Sequence, residues 1–363
     1  MSKRRDPQRI AAMEELESRL LLSGNVVTAI TGGGDLLITG DNADNAIAVT
    51  VGGGGEITIS ADDGTTTIDG TAGPSVLTGL TRNVRIRMRG GNDQVTITGL
   101  AVPGAMRFDG AKGSNSLTLD STTIGDNLTV KNLMGAQAFT MRNSSTVGGS
   151  LLINNAQKGD TSTILDDSVI GEHLKVNSKT GTDTFSLTDT AVGENLLIND
   201  HRGDSHTTLD GGTIGGNFFA FSSKGVNTID IMGSTSVGKK TKLMTGDLGA
   251  TIDLVGLTTD RLQIQTGKAN DTVTLDGVLV IDKTGILTGR GDDTLTVSNG
   301  AGPRGFTGPV SINTGRGNDA MTIAAAFGNT VKVNGGQGAD TLDWLTLSTF
   351  TVDPVVVSVE TVT

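Results

Sequence analysis

The sequence predicts an all-β solenoid: a single-stranded, right-handed parallel β-helix of about 12 coils, with about 22 residues in each. Three observations lead there. A phrase of the form Ile/Val-Gly-x-Asn-Leu-x-Ile/Val returns at a fixed interval, as Ile124-Gly125-Asp126-Asn127-Leu128-Thr129-Val130, as Val192-Gly193-Glu194-Asn195-Leu196-Leu197-Ile198, and in shortened form as Ile214-Gly215-Gly216-Asn217-Phe218. Apolar residues alternate with polar ones at a spacing of two, the period of a strand with one buried face. And 53 of 363 residues are Gly while aromatics make up only 3%, so Val, Ile, Leu and Met must build the core and Gly, Asn, Asp and Thr the turns.

The chain reads in three parts. Residues 1–24 form a basic lead, with Lys3, Arg4, Arg5 and Arg9, followed by a short helical or disordered segment in which Ile10, Met13, Leu16 and Leu20 keep helical spacing. Residues 25–80 are Gly-rich and irregular, and are expected to form the first coils and a cap. Residues 81–363 carry the regular repeat.

Within the repeat, the second apolar residue of the phrase serves as an anchor. Anchors fall at Ile86, Phe108, Val130, Ile153, Val176, Ile198, Ala220, Leu243 and Ile264, in steps of 22, 22, 23, 23, 22, 22, 23 and 21 residues. Ile286, Ile312 and Val333 follow, with one step of 26 that contains a loop insertion at Ala301–Gly305. A second strand per coil alternates in the same way, as in Leu117/Leu119 and Phe139/Met141. A lone apolar residue such as Ile124, Val147 or Ile170 marks a third. Three short strands per coil, all running the same way, define the parallel helix, and right-handed winding is the expected hand for such crossovers. Unpaired strands at the ends offer a route to self-association, and the segment from Val352 to Thr363 is expected to close one of them.

Composition narrows the function classes. A net charge of −11 disfavours nucleic acid and anionic membrane as partners. No apolar stretch reaches the ~20 residues of a bilayer span, so membrane insertion is not expected. With no Cys there is neither a disulfide framework nor a thiolate site. No Gly-x-Ser-x-Gly, His-Glu-x-x-His or P-loop pattern occurs, so no catalytic residue is assigned. The three His, His173, His201 and His206, fall in turns. Lys239, Lys240 and Lys242 with Arg261 would place cations on two adjacent coils, a patch able to meet an acidic glycan.

The segment Leu16-Glu17-Ser18-Arg19-Leu20-Leu21-Leu22-Ser23-Gly24 resembles the LEPR-XLL segment near the N-terminus of many large planctomycete surface proteins, with Ser18 where that pattern has Pro. The Gly/Asp-rich repeat resembles the β-helices that follow such segments. The resemblance implies a bacterial, secreted or cell-surface, non-enzymatic protein of structural or adhesive role, whose partner would be an unidentified surface glycan or protein. A carbohydrate-active β-helix enzyme of the lyase or hydrolase kind is the alternative on the same fold.

A turn with a basic-Gly-x-Asp flavour also repeats. Its Gly row includes Gly91, Gly113, Gly181, Gly225, Gly291, Gly317 and Gly338; two residues on stand Asp93, Asn115, Asp183, Asn227, Asp271, Asp293, Asp319 and Asp340. The stretch Gly335-Gly336-Gln337-Gly338-Ala339-Asp340-Thr341-Leu342 resembles the RTX nonapeptide, which implies Ca²⁺ binding. Asp271, Asp293, Asp319 and Asp340 are therefore the candidate metal ligands, stacked about one strand spacing of ~4.8 Å apart. The competing reading needs no cofactor: Lys268, Arg290 and Arg316 beside the ladder would neutralise an exposed, purely structural row. Ladder positions assigned to Ser205 and Thr251 are uncharged. The same consensus spells Arg202-Gly203-Asp204 and Arg290-Gly291-Asp292, integrin-type tripeptides that the repeat itself accounts for.

Overall fold

The computed structural model describes residues 24–157, 159–299, 305–345 and 348–363. The helical lead and all but Gly24 of the LEPR-XLL-like segment lie outside the described residues, as do residues 301–304 of the expected insertion. What is described is a β-solenoid of about 12 turns, each about 22 residues from the next, with no helix.

Each regular coil contains a first strand, a second strand and a short third one. In one coil these are β1 (Leu128–Met134), β2 (Gln137–Arg142) and β3 (Thr146–Val147). Second strands stack into a 16-stranded sheet; first and third strands share a 25-stranded one. Register between coils follows the anchors: Phe108 pairs with Val130, Val130 with Ile153, Ile198 with Ala220, Leu243 with Ile264, and Ile312 with Val333.

The apolar rows point inward, as alternation requires. Leu128, Val130, Phe139 and Met141 are all fully buried, and their equivalents in other coils join them in one continuous core. Burying each such side chain contributes roughly 1.5–3 kcal/mol, so the rod stands without disulfides. In the last coils the third-strand position changes from Ile/Val to Phe. Phe306, Phe327 and Phe350 stack with ring centroids 5.4 and 5.3 Å apart, and Trp344 meets Phe350 edge-on at 4.9 Å.

Two glycine columns explain the Gly of each motif. Gly215 of the Ile-Gly-x-Asn phrase stacks on Gly193, and a Cβ at Gly215 would lie 2.2 Å from the Gly193 carbonyl oxygen. Gly113, in the second column, adopts φ +105° and leaves a built Cβ 1.9 Å from the Gly91 carbonyl. The first column is required by close approach, the second by both approach and backbone conformation.

The two ends are built differently. Residues 25–80 are less irregular than their composition suggests. Leu36–Thr39 and Ala46–Val51 already form a parallel rung beneath Val84–Arg87 and Gln94–Thr98. Antiparallel strands at Asn25–Ile30, Ile57–Ala61 and Ser75–Leu77 pack on that rung and cap it. At the other end, Val355–Val357 and Thr361–Val362 do not fold over the stack. They add to it in parallel, with Val355, Val357 and Val362 about half exposed.

Candidate functional site

The repeating polar chemistry concentrates at the corner between first and second strands. There the Asp/Asn row predicted to face outward turns in. Asp93, Asp271, Asp293 and Asp319 are each 1% exposed and Asp340 is fully buried. Each immediately precedes a second strand and stands two positions before its first inward apolar residue. Its Oδ1 accepts the backbone N–H of the equivalent residue in the preceding coil: Ala250 to Asp271 at 2.7 Å, Asp271 to Asp293 at 2.8 Å, Asp293 to Asp319 at 2.9 Å, and Asp319 to Asp340 at 3.0 Å. Asp93 and Asp183 do the same for Asn45 and Thr161.

The residue just before each of these forms a second, solvent-exposed ladder of opposite polarity. Here the side chain accepts from the following coil. Ser114 N–H donates to Asn92, Val226 to Asp204, Asp292 to Asn270, Asn318 to Asp292 and Ala339 to Asn318, at 2.8–2.9 Å. The Gly-Asp-Asp of Gly291–Asp293 is therefore a two-way clamp: one carboxylate reaches back, the other forward. This also gives Asp204 and Asp292 of the Arg-Gly-Asp tripeptides a role within the rod.

Two expectations about this row are corrected. The row is not neutralised by the basic residues beside it. Among the described residues no ion pair joins them, and Lys268 pairs with Asp247 at 2.5 Å instead. And the ladder position in its coil is Ala250, not Thr251, because Asn227 registers with Ala250 and Thr251 with Thr272. A small residue suffices there, since its own N–H is what Asp271 captures.

Burial leaves the second carboxylate oxygen stranded. Oδ2 of Asp93, Asp183, Asp271, Asp293, Asp319 and Asp340 is buried without a hydrogen-bond partner. Desolvation raises the pKa of Asp93 to about 7 and that of Asp293 to about 6, and it raises Asp271 and Asp340 as well. Asp183 faces Asp200, which extends the first strand of the next coil. Burial first, and then the charge of Asp183, push Asp200 up to about 7, while burial raises Asp183.

Ca²⁺ wants six to eight converging oxygens. Each carboxylate of the column already holds a backbone N–H, and successive carboxylates belong to successive coils. Among the described residues no three His, Cys, Asp or Glu side chains converge on a common point. This geometry is that of a hydrogen-bonding spine.

Sequence reasoning missed the row opposite the spine. It lies two residues beyond each anchor: Asn132, Asn155, Ser178, Asp200, Thr266, Thr288 and Thr314, all buried. Thr266, Thr288 and Thr314 hydroxyls donate to carbonyls of the following coil at 2.5–2.9 Å. A third internal row, Thr122, Ser145, Ser168, Thr190 and Thr235, precedes the third strand. Its members tie neighbouring turns, as when Thr122 N–H donates to Ser145 Oγ at 3.0 Å. Both rows could have been found by extending the period-two alternation through polar residues.

At the remaining corner the Asn of the phrase behaves as its recurrence implies. Asn217 N–H donates to Asn195 Oδ1 at 2.8 Å, and His173 substitutes in this exposed row by accepting Asn195 N–H at 3.3 Å. His201 is exposed, and His206 lies 3.6 Å from Asp230 on the surface. The predicted basic residues do come together. Lys240 registers with Arg261, and Arg261 with Lys283. Among the described residues no helix is long and apolar enough to cross a membrane. No protein-family model matches the chain, and neither a curated protein nor a solved structure does.

Proposed function

We propose that the protein is a non-enzymatic structural and adhesive rod of the bacterial cell surface. The observation that carries this reading is the two-way ladder. It ties coil to coil along the rod through side chains the repeat supplies, and so holds outward-facing rows at one strand spacing. A regular array of this kind suits multivalent attachment, in which weak single contacts combine. The LEPR-XLL-like lead and the net charge of −11 fit display outside the cell.

Antibody against the rod should label intact cells as strongly as lysed ones; labelling only after lysis would overturn surface display. Pectin, alginate and chondroitin incubated with the full chain should yield no rise in unsaturated-uronate absorbance. A sustained, enzyme-dependent rise would replace this reading with the lyase alternative.

A further inference from the structure

One stretch of the rod departs from the regular coil and gathers unusual surface chemistry. In most coils the first and third strands are separate. At Ser236–Met244, Thr258–Gln265 and Leu279–Leu287 they fuse into strands of 9, 8 and 9 residues that run through the corner. The outer face over these coils is concave and encloses an open cavity of about 550 Å³.

Its lining is cationic although the protein is acidic. Lys240, Arg261 and Lys283 register in one column, one per coil, and Lys242 lies beside them. Lys239 shares the corner. Asp282 pairs with Arg261 at 2.5 Å, and Asp260 is the other carboxylate of these strands' corners, so five cations face two carboxylates. None of the ion pairs among the described residues involves Lys239, Lys240, Lys242 or Lys283. Lys240 is held by Gln263 Oε1 at 2.7 Å. Desolvation, then repulsion from Lys242 and Arg261, lowers its pKa. A cation kept among cations favours an anionic guest.

The floor adds neutral recognition. Gln263, Gly285 and Ser311 form the next column, in register. A Cβ at Gly285 would meet nothing within 4 Å, so the floor is open at that point. On the coil before, Phe219 and Phe221 put two half-buried rings on the same outer face, 6.0 Å apart, and Lys242 sits 5.5 Å from the Phe221 centroid. They stand out in a chain with only nine Phe.

We infer that this face, from Phe219 across the Lys240–Arg261–Lys283 column to Ser311, is a binding site for an extended acidic polysaccharide of the polyuronate class. The inference rests on the adhesive reading above and specifies a ligand for it. Four strand spacings, roughly 19 Å, separate the Phe219 and Ser311 rungs. An extended uronate chain carries one carboxylate per sugar at a rise close to one strand spacing, so successive carboxylates can meet successive cations. Amide and hydroxyl side chains suit sugar hydroxyls, and the aromatic pair offers a face for one sugar ring. Single-stranded nucleic acid fits less well: it needs aromatic faces repeated along the groove, and here both rings lie at one end.

Calorimetric titration of the full chain with hexagalacturonate tests this. Binding should be saturable and weaken as salt rises; cellohexaose should not bind. Lys240→Gln/Lys283→Gln should weaken affinity by at least about tenfold, whereas Lys131→Gln, elsewhere on the rod, should leave it unchanged. Ser311→Glu, an exposed substitution that adds negative charge at the far end, should also weaken binding and keeps the test open if the double variant melts early. Equal binding of cellohexaose, an unchanged Kd in both cavity variants, or tighter binding of oligothymidylate would overturn the site. Hexagalacturonate that binds and is then cleaved would keep the site and remove the non-enzymatic reading. Cell-surface labelling without uronate binding would do the reverse.

Discussion

The coil at 192–213 and the one at 237–258 carry the same core but resolve their corner differently. In the first, Gly193-Glu194-Asn195 separates a two-residue third strand from the next first strand, and Asn195 bonds its neighbours in the Asn ladder. In the second, Gly238-Lys239-Lys240 occupies the corner, and the backbone runs through as one strand. Asn at this place trades strand continuity for a side-chain bond to the adjacent turn, as short polar side chains do. Lys cannot make that bond. In these coils the strands fuse, and the outer surface beside them carries charge. Two or three residues per coil thus decide whether a coil is purely architectural or presents a site.

Substitutions can break this comparison in order of severity. Leu196→Asp places a carboxylate in the fully buried column of the regular region. It should cost at least about 4 kcal/mol and destroy a cooperative melt over several coils; a normal calorimetric transition would contradict the register. The glycines separate the two regions more sharply. Gly215→Ala, packed against the Gly193 carbonyl, should cost about 2–4 kcal/mol. Gly285→Ala, on the open floor of the fused strands, should change stability by no more than about 0.5 kcal/mol. Equal effects in urea melts would mean that the floor at Gly285 is as closed as the glycine column at Gly215.

Acidity probes the spine that both regions share. Asp293, with its folded pKa raised to about 6, binds its proton more tightly folded than unfolded. It therefore contributes stability that is complete below about pH 4 and is lost as pH rises to about 6. Asp93 and Asp200, raised to about 7, extend the loss to that pH. Melting temperature should decline from pH 4 to 7.5 for these groups. Asp293→Asn keeps the Oδ1 acceptor and removes the titration. It should flatten the decline and add about 1 kcal/mol at pH 8; a steeper decline would refute the buried-acid account. The smallest effect expected is from metal. Melts in EDTA and in millimolar Ca²⁺ should coincide, and a shift of many degrees would reinstate the calcium ladder.

Much of the fold was legible in the sequence. The anchors from Ile86 to Val333 are the observed register partners, because alternation at two residues and a repeat near 22 constrain each other. The spine was placed correctly along the chain but on the wrong side of the wall. Asp after Gly reads as a solvated turn, and only three-dimensional stacking shows that backbone N–H groups of the neighbouring coil draw it inward. The same blindness hid Thr266, Thr288 and Thr314, whose hydroxyls satisfy carbonyls one coil away. The position taken for Thr251 is Ala250, 23 residues after Asn227 and 21 before Asp271. At residues 25–80, Gly content suggested irregularity, yet Ile47, Val49, Ile57 and Ile59 already alternate as the buried face of an antiparallel pair. The basic patch was visible as residues. Its concavity was not, since strand fusion at a corner leaves no mark in the apolar period.

Clamps that reach back and forward, as at Gly291–Asp293 and Gly317–Asp319, make length a free variable. Excising one whole repeat brings each acceptor face to face with an equivalent donor, and the rod shortens by one rung without a new kind of contact. Removing a single residue instead throws every later partner out of phase. Such a molecule can be lengthened or trimmed by duplication and loss of whole units, so its reach can be tuned separately from whatever it holds.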